Sequence, residues 1–396
     1  MVLALLLVAL QGVGSPAAPP GPHTGAHPPD RASFSADTFD PLVEAGIRRG
    51  AYPGAALIVG RRDTILFRKG YGHLTWSATS PAADADSTLY DLASLTKVVA
   101  TTPAVMLLVE RGTVRLDAPV ATYLPDFQGD GTAAITVRQL LSHTSGLRAD
   151  LPDDELKAMP DSAALMRRVL RETPRALPGA RVIYSDLNAI LLGEIVARAA
   201  GEPLDVFAAR AIFAPLGLRQ TLFRPPARLR PRIAPTGVWH GHTVAGSVND
   251  GSAFKLRGVS GNAGLFATAA DVAAFAQFML REGRLPDGRR LLSAATVRLF
   301  TSKAAGVGRG AEARALGWQA LPTGETVSSA GTLFGPRSYG HTGWTGTSLW
   351  IDPDRDLFVV LLTNRAFAPR ARRPFTVLKG VRGRVADAAA RASDAS

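Results

Sequence analysis

Gly346-Thr347-Ser348-Leu349-Trp350-Ile351, then Asp352-Pro353-Asp354-Arg355-Asp356, then Leu357-Phe358-Val359-Val360-Leu361-Leu362-Thr363: two apolar runs meet at a joint dense in Asp and Pro. That joint has the chemistry of a hairpin connection, since Asp side chains accept from turn amides and Pro pre-sets φ. Near the other end of the chain, the short apolar runs 55–60 and 64–68 flank Arg61-Arg62-Asp63 and read as a second β-hairpin. Helical patterns or helix-length apolar runs fill the middle, at 95–111, 137–142, 161–172, 187–200, 204–214 and 270–282, with Gly and Pro between them. Phe39, Leu42, Val43 and Ile47 give Asp37–Arg49 a helical face, and a last helix runs from about Phe375 to Arg391. Two distant hairpins flanking a helix-rich middle predict an α+β fold. One antiparallel sheet is built from both chain ends and flanked by helices, with a large, mostly helical inserted subdomain. The sheet part is expected at about 35–93 and 335–392, and the helical part at about 94–334.

Composition narrows the chemistry. With 396 residues, 46% hydrophobic and 20% charged, the chain has ample material for a core, and global disorder is excluded. There is no Cys, so disulfides, thiolate zinc sites and cysteine nucleophiles are excluded together. A nucleophile must be Ser, Thr, Lys, Asp or Glu. The net charge of +12 suggests an acidic partner, but half of it lies in 365–396, where eight Lys/Arg face Asp387 and Asp394. No RNP-like aromatic motif accompanies that tail, so nucleic acid is not expected. It reads as a solvated basic face suited to an anionic cell-wall polymer. His240-x-His242 has strand-type ligand spacing without acidic or Cys companions, so neither a metal nor a cofactor is expected.

Val2–Leu10 is apolar but too short to cross a bilayer, which takes about 20 residues. With Ser15-Pro16-Ala17 behind it, the run resembles the core and small-residue cleavage site of a signal peptide. Residues 1–18 are therefore expected to be removed and 19–34 to form a linker. The mature chain is expected to be exported (periplasmic or secreted), without a transmembrane helix.

Tyr90-Asp91-Leu92-Ala93-Ser94-Leu95-Thr96-Lys97 opens a helix that is apolar all round, through Val98, Val99, Val105, Met106 and Leu108, and such a helix lies inside a protein. Ser94 and Lys97, three apart, share a face. If Ser94 is in the first turn, the helix dipole favours negative charge developing there. Serine with lysine one turn away is a nucleophile–base arrangement. By itself the pair reads equally as a capping serine and a lysine that snorkels outward.

Four ordered motifs remove that ambiguity. Ser94-Leu95-Thr96-Lys97 resembles the S-x-x-K of the serine penicillin-recognising enzymes: class C β-lactamases, D-alanyl-D-alanine carboxypeptidases and related esterases. Leu140–Leu147 resembles that family's L-L-S-H-T-S-G-L, Tyr184-Ser185-Asp186 its Y-x-N, and His341-Thr342-Gly343 its K-T-G or H-T-G. The resemblance implies Ser94, Lys97 and Tyr184 as catalytic residues, with the Tyr184 phenol shuttling a proton from nucleophile to leaving group. It implies an oxyanion hole from the Ser94 and Trp344 amides, and His341 and Thr342 facing the polar end of the substrate. Gly343 would allow close backbone approach. It makes His143 a structural element at a helix end, and the 260–266 segment a close-packed turn.

Two departures carry expectations of their own. Asp186 replaces Asn within the substrate-binding set, and a carboxylate within about 4–6 Å of Lys97 would keep that amine charged. Tyr184 then serves as base, with Lys97 stabilising its anion. His341 replaces Lys, so a fixed cation for a substrate carboxylate is lost, and the imidazole would become charged near pH 5.5. Activated esters are then expected to outrun penicillins. The leading reading is a serine acyl hydrolase, an esterase or D-amino-acid peptidase acting on a small ester, amide or peptide. The alternatives are a class C-like β-lactamase, or a non-catalytic module holding peptidoglycan or peptide in the same cleft.

Overall fold

The two hairpins meet at the centre of one sheet in the computed structural model, which describes residues 33–305, 313–321, 328–368 and 375–396. In chain order the strands are β1 (Gly54–Gly60), β2 (Ile65–Gly72), β3 (Tyr90–Asp91), β4 (Leu222–Phe223), β5 (Gly237–Trp239), β6 (His242–Val244), β7 (Leu265–Ala267), β8 (Gln319–Ala320), β9 (Tyr339–Thr342), β10 (Ser348–Asp352) and β11 (Leu357–Thr363). The main sheet runs β2-β1-β11-β10-β9-β8 and is antiparallel throughout. β1 and β11 come from opposite chain ends and pair with Leu57 opposite Leu361 and Val59 opposite Val359. Both are buried along their whole length, which is why they read as continuous apolar runs. β2 lies at an edge and carries exposed Arg68, a charge that discourages further strand pairing.

The two-residue period of the strands divides the core into two layers. Ala55, Leu57, Val59, Val359 and Leu361 pack with Phe39 and Val43 of the helix Ala36–Arg48, and with Val381 and Val385 of the helix Thr376–Asp394. Ala56, Ile58, Val360 and Leu362 face the other way, into the helical middle of the chain. The expected signal peptide (1–18) and nearly all of the linker (19–34) lie outside the described residues.

The part expected to be mostly helical also contributes β8 to the main sheet, β4 and β7 to a small sheet with β3, and the β5-β6 pair. Strands of two or three residues are too short to leave an alternating pattern in sequence. One expectation needs correcting: the tail is not uniformly solvated. Arg365 and Arg382 are buried, and the Arg382 guanidinium donates to the Thr347 carbonyl at 2.7 Å. Arg384 and Arg391 are exposed, while Arg370, Arg372 and Arg373 lie outside the described residues.

The helix after β3 is buried all round, as its sequence predicts. Its first part, Lys97–Thr101, is wound more loosely: the Thr102 amide donates to the Lys97 carbonyl, five residues back. Pro103, which has no N–H to continue the ladder, follows directly and accounts for the widened turn. The neighbouring helix Asp186–Ala200 is capped by the Ser185 hydroxyl, which accepts from the Asn188 amide. That cap sets Tyr184 just outside the helix and Asp186 in its first turn.

Candidate active site

Ser94 leaves β3 through a tight turn. Ala93 there has φ +48°, a backbone conformation that favours glycine. The Asp91 carboxylate accepts the Ala93 amide at 2.9 Å, closing the turn as an Asp side chain can. Ser94 is thereby presented, half-buried, to a cleft of about 730 Å³ that also takes in Tyr184, Asp186 and the run His341–Trp344.

Three of the expected residues converge on one another. Lys97 Nζ donates to Ser94 Oγ and to the Asn262 carbonyl, both at 3.0 Å, and pairs with Asp186 Oδ1 at 2.6 Å. Only 4% of the lysine side chain is exposed. Burial opposes its charge most strongly, but the Asp186 carboxylate and the Tyr184 oxygen together outweigh burial and raise the amine above its ordinary value. Lys97 is an ammonium at rest. The Tyr184 hydroxyl donates to Ser94 Oγ at 3.0 Å. Burial pushes that phenol up from 10.0, with Lys97 pulling the other way, so the resting form is the neutral phenol and not its anion. Asp186 was grouped with substrate-binding residues. It does line the cleft, but its carboxylate is engaged by Lys97.

His143 is buried at the end of the helix Val137–Leu141 and grips both sides of Tyr184. Its carbonyl accepts the Ile183 amide at 2.8 Å and its Nδ1 accepts the Ser185 amide at 3.1 Å. Its ring packs against the phenol at 4.7 Å between centroids. Burial, then Arg314, keeps this imidazole neutral well below its ordinary value of 6.5, consistent with a structural role. The 260–266 segment is a close-packed turn that also hands its Asn262 carbonyl to Lys97.

Across the cleft, β9 carries His341 and Thr342. His341 Nδ1 lies 2.8 Å from the Thr342 carbonyl and so bears the ring proton; Nε2 then faces the Arg314 guanidinium at 3.4 Å. Burial, then Arg314, holds the His341 pKa well below 6.5. The expected charging on mild acidification is therefore opposed by the site, since burial and Arg314 both favour the neutral ring. A cation does stand at this corner, on a residue outside the motif. Arg314 is 98% buried, stands beside His341, packs over the Tyr184 ring at 4.9 Å and lines the cleft. Sequence reading missed it because no local motif marks an arginine that reaches the site through folding alone.

A Cβ on Gly343 would come within 2.2 Å of Thr347 Oγ1 and 2.4 Å of the Leu92 carbonyl, so only glycine fits. That contact seals the β9–β10 turn onto the Ser94 turn. Thr345 Oγ1 donates to the Asp91 carbonyl at 2.6 Å, and Thr347 Oγ1 to the Leu92 carbonyl at 2.9 Å. Among the described residues, neither the Ser94 nor the Trp344 amide donates to another protein group. Two amides left open at one cleft are what an oxyanion site requires. The Trp344 indole is 63% exposed and stacks on Phe375 at the rim. Asp150, Asp153 and Asp250 line the cleft near Asp186; desolvation, then Asp186, pushes Asp150 up to about 6.

The chain is similar to known proteins along most of its length. The family model described as Beta-lactamase matches residues 39–381. A protein of Escherichia coli O157:H7 named "Putative D-alanyl-D-alanine carboxypeptidase" is 33% identical over 383 residues, covering 87% of this chain and 86% of that protein. Among solved structures, EstCE1, a hydrolase with promiscuous acyltransferase activity, superposes with a TM-score of 0.71 at 22% identity, covering 89% of this chain and 98% of that one. A class C β-lactamase from Rhodobacter sphaeroides gives 0.68 at 21% identity, covering 89% and 99%.

Proposed function

This chain belongs to the β-lactamase family of serine hydrolases, and on that premise we propose that it is an acyl hydrolase of the D-amino-acid carboxypeptidase type, acylated at Ser94 by peptides ending in a free carboxylate. The observation that carries this reading is Arg314, a cation in the cleft beside neutral His341. A guanidinium matches a carboxylate in charge and shape, and Thr342 adds a hydroxyl to the same corner. The name of the Escherichia coli relative fits a substrate of this kind.

The proposed chemistry balances without a cofactor. Ser94 Oγ attacks the scissile carbonyl carbon; its proton passes to the Tyr184 oxygen as Tyr184 hands its own proton to the leaving nitrogen. Tyr184 remains neutral overall, which suits a phenol whose pKa is raised. The Ser94 and Trp344 amides take the oxyanion, and Lys97, kept charged by Asp186, stabilises charge developing on the two hydroxyl oxygens. Water then attacks the acyl-enzyme, its proton returning through Tyr184 to Ser94.

The test compares Arg314→Gln with the parent on a peptide ending in D-Ala-D-Ala and on p-nitrophenyl acetate, which lacks the carboxylate. A charge-assisted hydrogen bond is worth about 1.5–3 kcal/mol, so kcat/KM should fall roughly ten- to hundredfold for the peptide. The ester should change little. Equal losses on both substrates, or none on the peptide, would favour an esterase, the second reading, for which a neutral His341 is no handicap.

We also place the mature chain outside the cytoplasm, on the strength of Val2–Leu10 and the small residues after it. A contact with anionic cell-wall polymer would rest on exposed Arg384 and Arg391. Fractionation of producing cells should yield protein whose N-terminus begins near residue 19, in the envelope or medium and released from walls by salt. Protein retaining Met1 in the cytosol would refute the export reading.

A further inference from the structure

Asp91 is a buried carboxyl that the proposed reaction does not use. Its residue is 1% exposed, and each carboxylate oxygen has one donor. Oδ1 accepts the Ala93 amide at 2.9 Å, and Oδ2 accepts the Asn249 amide at 2.7 Å. The first bond holds the left-handed turn that presents Ser94. The second holds the Asn249–Asp250 loop, which lines the same cleft. One side chain thus joins the nucleophile's turn to another part of the cleft lining, across more than 150 residues of sequence.

We propose that Asp91 is a positioning residue for Ser94: as a carboxylate it holds both segments in register for acylation, and it releases one of them when it takes up a proton. On protonation one oxygen becomes a hydroxyl, a much weaker acceptor than a carboxylate oxygen, so only one of the two amides keeps a strong acceptor. The inference rests on Ser94 being the nucleophile and adds a residue that acts through it.

The charged surroundings of Asp91 are sparse. β7, paired to it at Phe266, and the Thr345 turn bring only neutral groups. The 249–250 loop brings Asp250, which in turn faces Asp186 and Lys97. Burial pushes the Asp91 carboxyl up from 3.8 to about 6, against the pull of the two amides and with the help of Asp250. A pKa raised by folding means that the folded chain binds this proton more readily than the unfolded chain. Its contribution to stability is therefore greatest below 3.8 and falls as pH rises through about 6. Lost activity at pH 5 would then reflect misplacement of Ser94, not unfolding caused by this group.

The experiment measures the rate of fluorophosphonate labelling of Ser94, by intact mass, from pH 4.5 to 8 in the parent, Asp91→Asn, Asp150→Asn and Asp91→Asn/Ala93→Gly. Thermal melts establish that each is folded at each pH. In the parent an acid limb is expected near 6, and it should persist in Asp150→Asn, which removes the other carboxyl brought to that range. Asp91→Asn can accept only one amide, so its rate at pH 8 should fall about 10- to 100-fold and its acid limb should vanish. Glycine adopts positive φ freely, so Ala93→Gly should recover roughly fivefold of that loss, which a general destabilisation would not allow. A folded Asp91→Asn with the parental rate and limb overturns the proposal, as does a limb abolished by Asp150→Asn alone. If Asp91→Asn does not fold, the parent and Asp150→Asn decide: a limb near 6 in both supports the proposal, and its absence from both overturns it. Labelling of the parent at a serine other than 94 would instead overturn the nucleophile assignment.

Discussion

Ser94→Ala will abolish covalent labelling by a fluorophosphonate and lower kcat by on the order of 10⁴–10⁶, the scale reached when a nucleophile acting as part of a unit is removed. Ser94 Oγ is the one atom to which both the Lys97 ammonium and the Tyr184 hydroxyl donate, each at 3.0 Å. Among the described residues, no substitute lies within that network: its other hydroxyl, Tyr184, has its pKa pushed above 10.0 by burial and is a poor nucleophile when neutral. The fold should tolerate the change. Lys97 keeps Asp186 and the Asn262 carbonyl, so no buried charge is left unpaired, and Ser94 itself is only half-buried. Intact-protein mass spectrometry of parent and variant, beside a thermal melt, is the check. A mass adduct on Ser94→Ala at the parental rate would show that acylation occurs elsewhere.

Tyr184→Phe is expected to reduce kcat about 10²–10⁴-fold, the usual contribution of a positioned proton-transfer group. The substitution is nearly silent in packing, because a Phe ring keeps the contacts with His143 and His341 at 4.7 and 5.8 Å between centroids. Ser94 Oγ also keeps its bond from Lys97. What disappears is, among the described residues, the only neutral proton carrier hydrogen-bonded to Ser94 Oγ. Lys97 cannot replace it, since the carboxylate of Asp186 holds the amine protonated and an ammonium has no lone pair to accept with. Both acylation and deacylation should slow, so the burst of p-nitrophenol and the steady-state rate should fall together. A loss below about fivefold would remove Tyr184 from the proton path and return the role to Lys97.

Much of this was legible in sequence because it is local or periodic. The apolar runs 346–351 and 357–363 had to pair across their Asp- and Pro-rich joint, and the all-round apolar helix after Lys97 had to be buried, whatever surrounded them. The three-residue spacing of Ser94 and Lys97 brought the two side chains together, with Ser94 in the turn that leads into the helix. Asp186 as the partner of Lys97 followed from charge once the motifs were aligned, and the 2.6 Å pair bears it out. Strands of two residues such as β8 left no pattern to read. The arginine that lines the cleft was equally invisible. Arg314 is 27 residues from His341, and only the pairing of β8 with β9 brings its part of the chain alongside. The neutrality of His341 well below its ordinary pKa likewise depends on burial and on that arginine, neither of which a single position encodes. Asp91 is the sharpest case. Its capture of Ala93 spans two residues, but its capture of Asn249 exists only because folding closes the loop onto β3. Short-range geometry and hydrophobic period are properties of neighbouring residues; desolvation and long-range charge are properties of what the fold sets around them.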